Sequence, residues 1–196
     1  MRTKICGITN LNDALDAIEA GVDALGFVFY EKSPRYIKPL EARKIVESLP
    51  PFVQAVGLFV NEDFETINSI CSEAKMQLAQ IIDDDNYTDF SKLSYKYIKV
   101  VRAKAKEDII NNQNSYVLID AFVESFGGSG KRVALEWFEN VDCSTFVLAG
   151  GLSEENLKEL KPYNFYGVDV SSAVEKTKGK KDKQKMFNFV KAANEI

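Results

Sequence analysis

Hydrophobic residues along the chain alternate between short continuous runs and longer stretches with helical spacing. The continuous runs are rich in Val, Ile, Leu and Phe, which is typical of strands buried on both faces of a parallel sheet. Eight such runs predict strands over Thr3–Cys6, Ala24–Phe29, Gln54–Val60, Met76–Ile82, Tyr97–Arg102, Tyr116–Asp120, Thr145–Ala149 and Phe165–Val170.

Segments with helical spacing separate these runs. Apolar residues recur at spacings of 0, 3, 4 and 7 in three segments, Leu11–Ile18, Ala42–Leu49 and Met186–Ala193, which predicts amphipathic helices. Weaker patterns predict five more helices over Asp63–Cys71, Asp85–Leu93, Lys104–Asn111, Leu135–Asn140 and Ser153–Leu160. Eight strands in alternation with eight helices predict an α/β fold built from right-handed βαβ units.

Two architectures fit this alternation, a closed (β/α)8 barrel and an open doubly wound sheet. Eight βα units favour the barrel. The first strand is followed by Cys6-Gly7-Ile8-Thr9, which is not the G-x-G-x-x-G fingerprint of a dinucleotide-binding sheet. The chain has 196 residues, so the connections of a barrel would have to be tight. We predict a single compact (β/α)8 TIM-barrel domain over residues 1–196.

Composition and charge narrow the class of protein. The net charge is -4 and no long basic stripe is present, which argues against a nucleic-acid partner. The Lys-rich stretch from Lys176 to Lys185 is interpreted as a solvated loop or helix start. No apolar run approaches the length of a membrane span and no signal-like segment begins the chain, so we expect a cytoplasmic protein without a membrane partner.

Cysteine and histidine content limits the chemistry. The three cysteines, Cys6, Cys71 and Cys143, are odd in number and far apart, which fits a reducing compartment rather than a disulfide framework. The chain has no histidine, which excludes Ser-His and Cys-His catalytic pairs and His-ligated metal sites. Acid–base chemistry would have to use carboxylates, Cys, Lys or Tyr.

Two reactive side chains end predicted strands, where the βα loops of a barrel build its active site. Cys6 ends the first strand and Asp120 the sixth. The thiol could be a small buried hydrophobe and the carboxylate a turn cap, or together they could form an acid/base pair. A base requires a partly exposed, electropositive Cys6 with a depressed pKa. Lys4 on the same strand face could supply that, or could be a satisfied charge. An acid requires a desolvated Asp120 with a raised pKa.

Other strand ends carry groups that suit anions. Gly150-Gly151 follows the seventh strand and Ser171-Ser172 the eighth, which are the positions where barrels often bind phosphate. Backbone N–H groups and a helix opened by Ser153 would serve as donors. Arg35, in the loop after the second strand, could clamp a substrate carboxylate or form a surface salt bridge.

Motifs in order along nearly the whole chain resemble those of the phosphoribosylanthranilate isomerases. The resemblance is carried by Lys4–Thr9, Gly26–Phe29, Ser33–Ile37, Val56–Val60, Leu118–Ala121, Gly127–Lys131, Leu148–Leu152, Gly167–Ser172, Val174–Lys176 and Lys178–Asp182. It implies a compact (β/α)8 barrel that performs an Amadori rearrangement of a phosphosugar substrate in tryptophan synthesis, without metal or organic cofactor. We expect a monomer or a weak homodimer.

The resemblance also implies roles for individual residues. Asp120 matches the general acid and Cys6 the general base. Arg35 matches the residue that holds the anthranilate carboxylate, and Asp169 a position that contacts substrate. Gly150, Gly151, Ser171 and Ser172 match the phosphate site, and the Gly127–Lys131 loop matches a mobile segment over it.

One departure and three rival functions accompany the resemblance. Family members carry Gln-Leu-His-Gly at the end of strand 4, where we match Gln77-Leu78-Ala79-Gln80. Its loss leaves open a non-catalytic phosphosugar-binding module. A histidine-pathway isomerase acting on a bis-phosphate is disfavoured because no internal repeat is visible. A thiol-redox protein is disfavoured because no Cys-x-x-Cys pair is present.

Overall fold

Eight parallel strands close into a barrel in the order β1 to β8, as predicted. A computed structural model describes residues 1–121 and 132–196. The strands are β1 (Arg2–Cys6), β2 (Ala24–Val28), β3 (Gln54–Val60), β4 (Leu78–Ile82), β5 (Tyr97–Ala103), β6 (Val117–Ala121), β7 (Phe146–Leu148) and β8 (Gly167–Val170). Each predicted apolar run overlaps one of them, with ends that differ by a few residues, and β8 pairs with β1 to complete the ring.

Within residues 1–121 and 132–196, the α-helices outside the barrel are fewer than predicted. The described α-helices are α1 (Leu11–Ala20), α2 (Pro39–Val46), α3 (Phe64–Ala74), α4 (Lys106–Ile110) and α5 (Lys183–Asn194). The segments predicted as helices over 85–93, 135–140 and 153–160 contain instead the 3₁₀ helices Phe90–Lys92, Leu135–Phe138 and Leu157–Leu160. Those three predictions were wrong. Short 3₁₀ helices often serve as connectors between longer elements.

Local sequence signals explain the boundaries of the longer helices. Asn10, Asp63 and Asp182 each accept a hydrogen bond from a backbone N–H in the first turn, which satisfies a donor that the helix itself cannot pair. Gly21 ends α1 with φ +97°, a left-handed conformation that glycine adopts without strain.

The two faces of the barrel wall bury different side chains. Residues on the outward face pack against the helices and form the hydrophobic core, for example Ile5, Phe27, Ile119 and Phe146. Alternate residues point into the barrel, because side chains along a strand alternate between faces. This inward set includes buried polar groups, among them Lys4, Gln80 and Asp169. Lys4 and Asp169 therefore lie inside the barrel, separate from the apolar core.

A short hairpin follows the 3₁₀ helix Ser172–Val174 and was not predicted. Its strands are β9 (Glu175–Thr177) and β10 (Lys180–Lys181). The interpretation of the Lys-rich stretch as solvated was wrong for Lys181, which is buried, because its side chain pairs with Ser171 and Glu175 and its backbone N–H with Asp13 of α1. Cys6, Cys71 and Cys143 are free thiols, as expected. Within 1–121 and 132–196, no helix is both long enough and apolar enough to cross a membrane.

Candidate active site

Three of the predicted site residues point into the same end of the barrel. Cys6 ends β1, and Asp120 and Asp169 lie near the ends of β6 and β8. Strand register places Asp169 beside Lys4 and Asp120 beside Arg102. The C-terminal end of the barrel, which we call the mouth, therefore brings together a thiol, two carboxylates and two cations.

The thiol of Cys6 is more buried than the sequence analysis expected. Only 5% of the residue is exposed. Burial raises the pKa of Cys6, and repulsion from Asp169 adds to this, whereas the charges of Lys4 and Lys181 lower it only in part. The expectation of a partly exposed thiol with a depressed pKa was therefore wrong, because the cost of desolvating a thiolate exceeds the attraction of the two lysines.

Lys4 connects the thiol to Asp169. Its Nζ donates to Asp169 Oδ1 at 2.9 Å, and both side chains are buried. Burial alone would lower the pKa of Lys4, but attraction from Asp169 and Cys6 outweighs it and raises the pKa. Burial raises the pKa of Asp169 in spite of Lys4 and Lys181. Lys4 is thus both a paired charge and a cation beside the thiol.

Asp120 has the electrostatics expected of an acid. Burial raises its pKa to about 6, and the negative charge of Asp169 contributes, whereas the N–H of Ala121 and the charge of Arg102 act in the opposite direction. The Ala121 N–H donates to Asp120 Oδ1 at 2.8 Å. Arg102 also forms an ion pair with Asp84. A carboxyl group with this pKa holds a proton in part of the molecules near neutral pH.

Two glycines make room around the thiol. A Cβ at Gly26 of β2 would lie 2.7 Å from Cys6 Sγ and 3.1 Å from Lys4 Cε. At Gly7, which has φ +82°, a Cβ would lie 2.5 Å from Arg35 Cδ and 3.2 Å from Ser171 Oγ. The missing side chains let these groups approach the end of β1.

Arg35 lies at the mouth but is paired within the protein. Its Nε and Nη2 donate to the two carboxylate oxygens of Glu175 at 2.7 and 2.9 Å, and both side chains are buried. The alternative of a surface salt bridge is therefore wrong. A guanidinium has five N–H donors, so this bidentate contact leaves three for a ligand.

Glycines and a serine shape the loops predicted to bind phosphate. Gly150 and Gly151 have φ +82° and +62°, and Asn156 Nδ2 donates to Gly151 O at 2.8 Å. Ser171 Oγ donates to Cys6 O at 3.0 Å, and Ser172 begins a three-residue 3₁₀ helix. Since Ser153 does not open an α-helix, donors in the loop after β7 come from the loop backbone rather than from an α-helix N-terminus.

Strand 4 differs from the sequence-based match. Gln77 and Leu78 lie at the beginning of β4, whereas the strand ends at Ile82. The segment at the strand end is therefore Gln80-Ile81-Ile82-Asp83, and the match to Gln77–Gln80 was misplaced. Gln80 is buried, and its Oε1 has no hydrogen-bond partner within the described parts of the chain.

Two other features bear on the limits of the site. A cavity toward the opposite, N-terminal end of the barrel is lined by Arg2, Lys4, Val56, Gln80 and other strand residues, so Lys4 borders both this cavity and the mouth. The Gly127–Lys131 loop lies outside the described residues, and its expected role as a mobile segment stays a prediction.

Glu175 and Lys181 belong to the site, yet sequence reasoning gave them no role. Lys181 Nζ donates to Glu175 Oε1 at 3.2 Å and to Ser171 O at 3.0 Å. Arg35 and Lys181 hold the pKa of Glu175 below its usual range although burial opposes this. Burial lowers the pKa of Lys181 although Glu175 opposes this. The only sequence signal was their place in segments that resemble the isomerase family.

Comparison with known proteins identifies relatives along the whole chain. The family model described as N-(5'phosphoribosyl)anthranilate (PRA) isomerase matches residues 3–192. An N-(5'-phosphoribosyl)anthranilate isomerase of a Nitratiruptor species is 63% identical over 193 residues, covering 98% of each chain. Its counterpart in a Sulfurovum species is 55% identical over 196 residues, covering 100% of both.

Solved structures agree with the sequence relatives. A phosphoribosyl anthranilate isomerase in complex with reduced 1-(o-carboxyphenylamino)-1-deoxyribulose 5-phosphate superposes with a TM-score of 0.84 at 38% identity, covering 100% of both chains. A monomer-forming variant of the dimeric enzyme of Thermotoga maritima gives a TM-score of 0.85 at 34% identity, again covering 100% of both chains.

Proposed function

The chain belongs to the phosphoribosylanthranilate isomerase family, and from this premise we propose that Asp120 and Cys6 catalyse the isomerisation as general acid and general base. The reaction is an Amadori rearrangement in tryptophan biosynthesis. N-(5'-phosphoribosyl)anthranilate becomes 1-(o-carboxyphenylamino)-1-deoxyribulose 5-phosphate, with no gain or loss of atoms.

Asp120 is proposed to start the reaction by protonating the ribose ring oxygen. The C1'–O bond breaks, the ring opens, and the anthranilate nitrogen becomes part of a Schiff base. A pKa of about 6 supports this role, because an acid works best when its pKa is close to the working pH. At pH 7 about a tenth of the Asp120 side chains would hold the required proton.

Cys6 is proposed to remove the proton from C2' of the Schiff base. The C–H electron pair forms the C1'–C2' double bond of an enolamine, which then tautomerises to the ketone. The neighbouring Lys4 and Lys181 favour the thiolate, although burial keeps the resting group protonated. The thiolate is therefore a minor but strongly basic form, held beside an ammonium that stabilises it.

The two anionic ends of the substrate match the two sets of donors at the mouth. We propose that Gly150, Gly151, Ser171 and Ser172 bind the phosphate and that Arg35 binds the anthranilate carboxylate with the donors that Glu175 leaves free. Asp169 keeps Lys4 in place beside the thiol. Binding at sites remote from the reacting carbons orients the sugar between acid and base.

The observation that carries this proposal is the mouth that Cys6, Asp120 and the Lys4–Asp169 pair form together. We further propose that the enzyme is cytoplasmic. We also propose that it works as a monomer or weak homodimer, and light scattering of the purified protein tests this oligomeric state. A stable higher oligomer would contradict that part.

A fluorescence assay tests the function: purified protein is mixed with freshly made phosphoribosylanthranilate, and the loss of substrate fluorescence is followed. Wild type should consume the substrate, and Cys6→Ala should lower kcat by at least ~10²-fold, because the general base is lost.

Cys71→Ala provides a matched control, since Cys71 is also a buried thiol but faces the outer core. It should retain kcat. A folded wild type without turnover would favour the phosphosugar-binding module, and an unchanged kcat in Cys6→Ala would refute the role of the thiol.

A further inference from the structure

Lys181 is fully buried and uses its whole ammonium group. Its Nζ lies 3.0 Å from Ser171 O, 3.4 Å from Ser171 Oγ and 3.2 Å from Glu175 Oε1, and no side-chain surface is exposed. Lysine is almost never fully buried unless it is paired, and three acceptors match its three N–H donors.

One of these contacts leads to the proposed carboxylate end of the site. Glu175 Oε1 accepts from Lys181 and also from Arg35 Nε at 2.7 Å, while Glu175 Oε2 accepts from Arg35 Nη2 at 2.9 Å. A bidentate pair fixes the plane of the guanidinium. The direction in which Arg35 presents its remaining donors is therefore set by a carboxylate that Lys181 holds.

The other contact leads to the proposed phosphate end. Ser171 follows β8 and is held by Lys181 through both its carbonyl and its hydroxyl oxygen. The same hydroxyl donates to Cys6 O at 3.0 Å. Lys181 thus reaches the loop after β8 at the point where that loop meets the end of β1.

The β9–β10 hairpin is itself held against the barrel, so the backbone that carries Lys181 is fixed in position. The Lys181 N–H donates to Asp13 Oδ2 of α1 at 2.8 Å. Near the turn, Thr9 Oγ1 donates to Gly179 O at 2.6 Å, and the Gly179 N–H donates to Glu175 Oε1 at 3.2 Å. The hairpin is tied to the loop after β1 and to α1.

We propose that Lys181 is a positioning residue that joins the two anion-binding ends of the site, holding Ser171 at the phosphate end and, through Glu175, Arg35 at the carboxylate end. This inference rests on the proposed function for the identity of the two ends. Its specific claim is that a single buried lysine governs the affinity for two separate anions.

The test measures binding of two probes, inorganic phosphate and anthranilate, by calorimetry and by inhibition. Lys181→Met keeps the apolar stem and removes the charge, and it should weaken the binding of both probes by ~10-fold or more. Tenfold corresponds to ~1.4 kcal/mol, which is close to the lower end of what one hydrogen bond to a charged group contributes. The KM for substrate should rise by more than kcat falls.

Two further variants separate positioning from a general effect on folding. Lys180→Met changes the exposed neighbour of Lys181 and should bind both probes like wild type. Glu175→Gln keeps the Lys181–Ser171 contacts, so it should weaken anthranilate by ~10-fold and change phosphate by less than ~2-fold. If Lys181→Met fails to fold, Lys181→Gln removes the charge but keeps hydrogen-bond donors, and it should weaken the binding of both probes.

The outcomes are distinct. If folded Lys181→Met binds both probes like wild type, the lysine is merely structural. If it loses only one probe, or if Glu175→Gln weakens both probes equally or neither, the joining role is wrong. Since probe binding needs no turnover, wild type that binds both probes without consuming substrate would refute the proposed function and leave this inference standing.

Discussion

The outward and inward faces of the barrel wall differ in what they bury and in what the burial achieves. On the outward face, large apolar side chains such as Phe27 and Phe146 are fully buried against the helices, which stabilises the fold. On the inward face near the mouth, burial surrounds charges and raises the pKa of Asp120 and Cys6. Burial on the outward face stabilises the fold. Burial on the inward face costs free energy, because it desolvates ionisable groups, and it changes their pKa values.

Substitutions on the two faces should therefore affect stability and turnover differently. Substitutions on the outward face should lower the free energy of unfolding and leave turnover per folded molecule unchanged. Substitutions of charged groups on the inward face should change turnover or its pH dependence. Stability should rise where the removed charge has no close partner and fall where its removal leaves a buried partner unpaired, as at the Lys4–Asp169 pair.

The largest expected effect on stability is on the outward face. Phe146→Ala should lower the free energy of unfolding by about 3–5 kcal/mol, because it removes a fully buried ring and leaves a cavity. Urea unfolding measures this, and kcat of the folded fraction should match wild type.

Phe52→Ala is the control for that variant, since Phe52 is exposed and should shift stability by no more than about 0.5 kcal/mol. A large fall in kcat for Phe146→Ala without a loss of stability would break the separation between the two faces.

The same substitution, Gly→Ala, can be made once on each face of the barrel wall. Gly26→Ala places a methyl group against Cys6 Sγ, whereas Gly57→Ala places one 3.0 Å from the rings of Phe29 and Phe59. Both should cost about 1–3 kcal/mol of stability by overpacking. Only Gly26→Ala should also lower kcat, by up to ~10²-fold, because it displaces the base.

Urea unfolding and steady-state kinetics on both variants check this. Equal kcat values in Gly26→Ala and Gly57→Ala would show that the space beside the thiol has no catalytic importance.

The smallest expected effect concerns the acidity of the thiol. Lys4→Met removes a charge that lowers the pKa of Cys6, so the pKa should rise further above its ordinary value. Activity at neutral pH should fall about tenfold for each unit of that rise, and part of it should return as the pH is raised. Thiolate absorbance, taken as the difference between variants with and without Cys6, measures the pKa. An unchanged pKa would contradict the role of Lys4.

The strands were predictable because their signal is local. A strand buried on both faces is a continuous apolar run, and every such run overlaps a strand of the barrel. The segments over 135–140 and 153–160 carry apolar residues at helical spacing but form 3₁₀ helices. Periodicity over so few residues does not distinguish the two forms.

The site was predictable only where strand ends reveal it. Cys6, Asp120 and Asp169 lie at strand ends, so topology alone brings them together. Lys181 lies in a polar, Lys-rich stretch, and nothing local indicates that it is buried. Its burial depends on Ser171, Glu175 and Asp13, and the last of these is 168 positions away along the chain. The raised pKa of Cys6 was likewise unpredictable, because desolvation is a property of the closed barrel.

Asp120→Asn is expected to change stability and turnover in opposite directions. Because folding raises the pKa of Asp120 to about 6, the folded state binds more protons than the unfolded state between the ordinary carboxyl pKa and pH 6. Stability linked to this group therefore increases as the pH falls through that window, and the ionised carboxylate is a cost above it.

Asn removes that cost and can still accept from the Ala121 N–H. At pH 7 we expect the free energy of unfolding of Asp120→Asn to rise by about 1–3 kcal/mol, while kcat for phosphoribosylanthranilate falls by at least ~10²-fold. A variant that is more stable and inactive would support the account. A variant that keeps its kcat, whatever its stability, would contradict the claim that Asp120 is the acid of this enzyme.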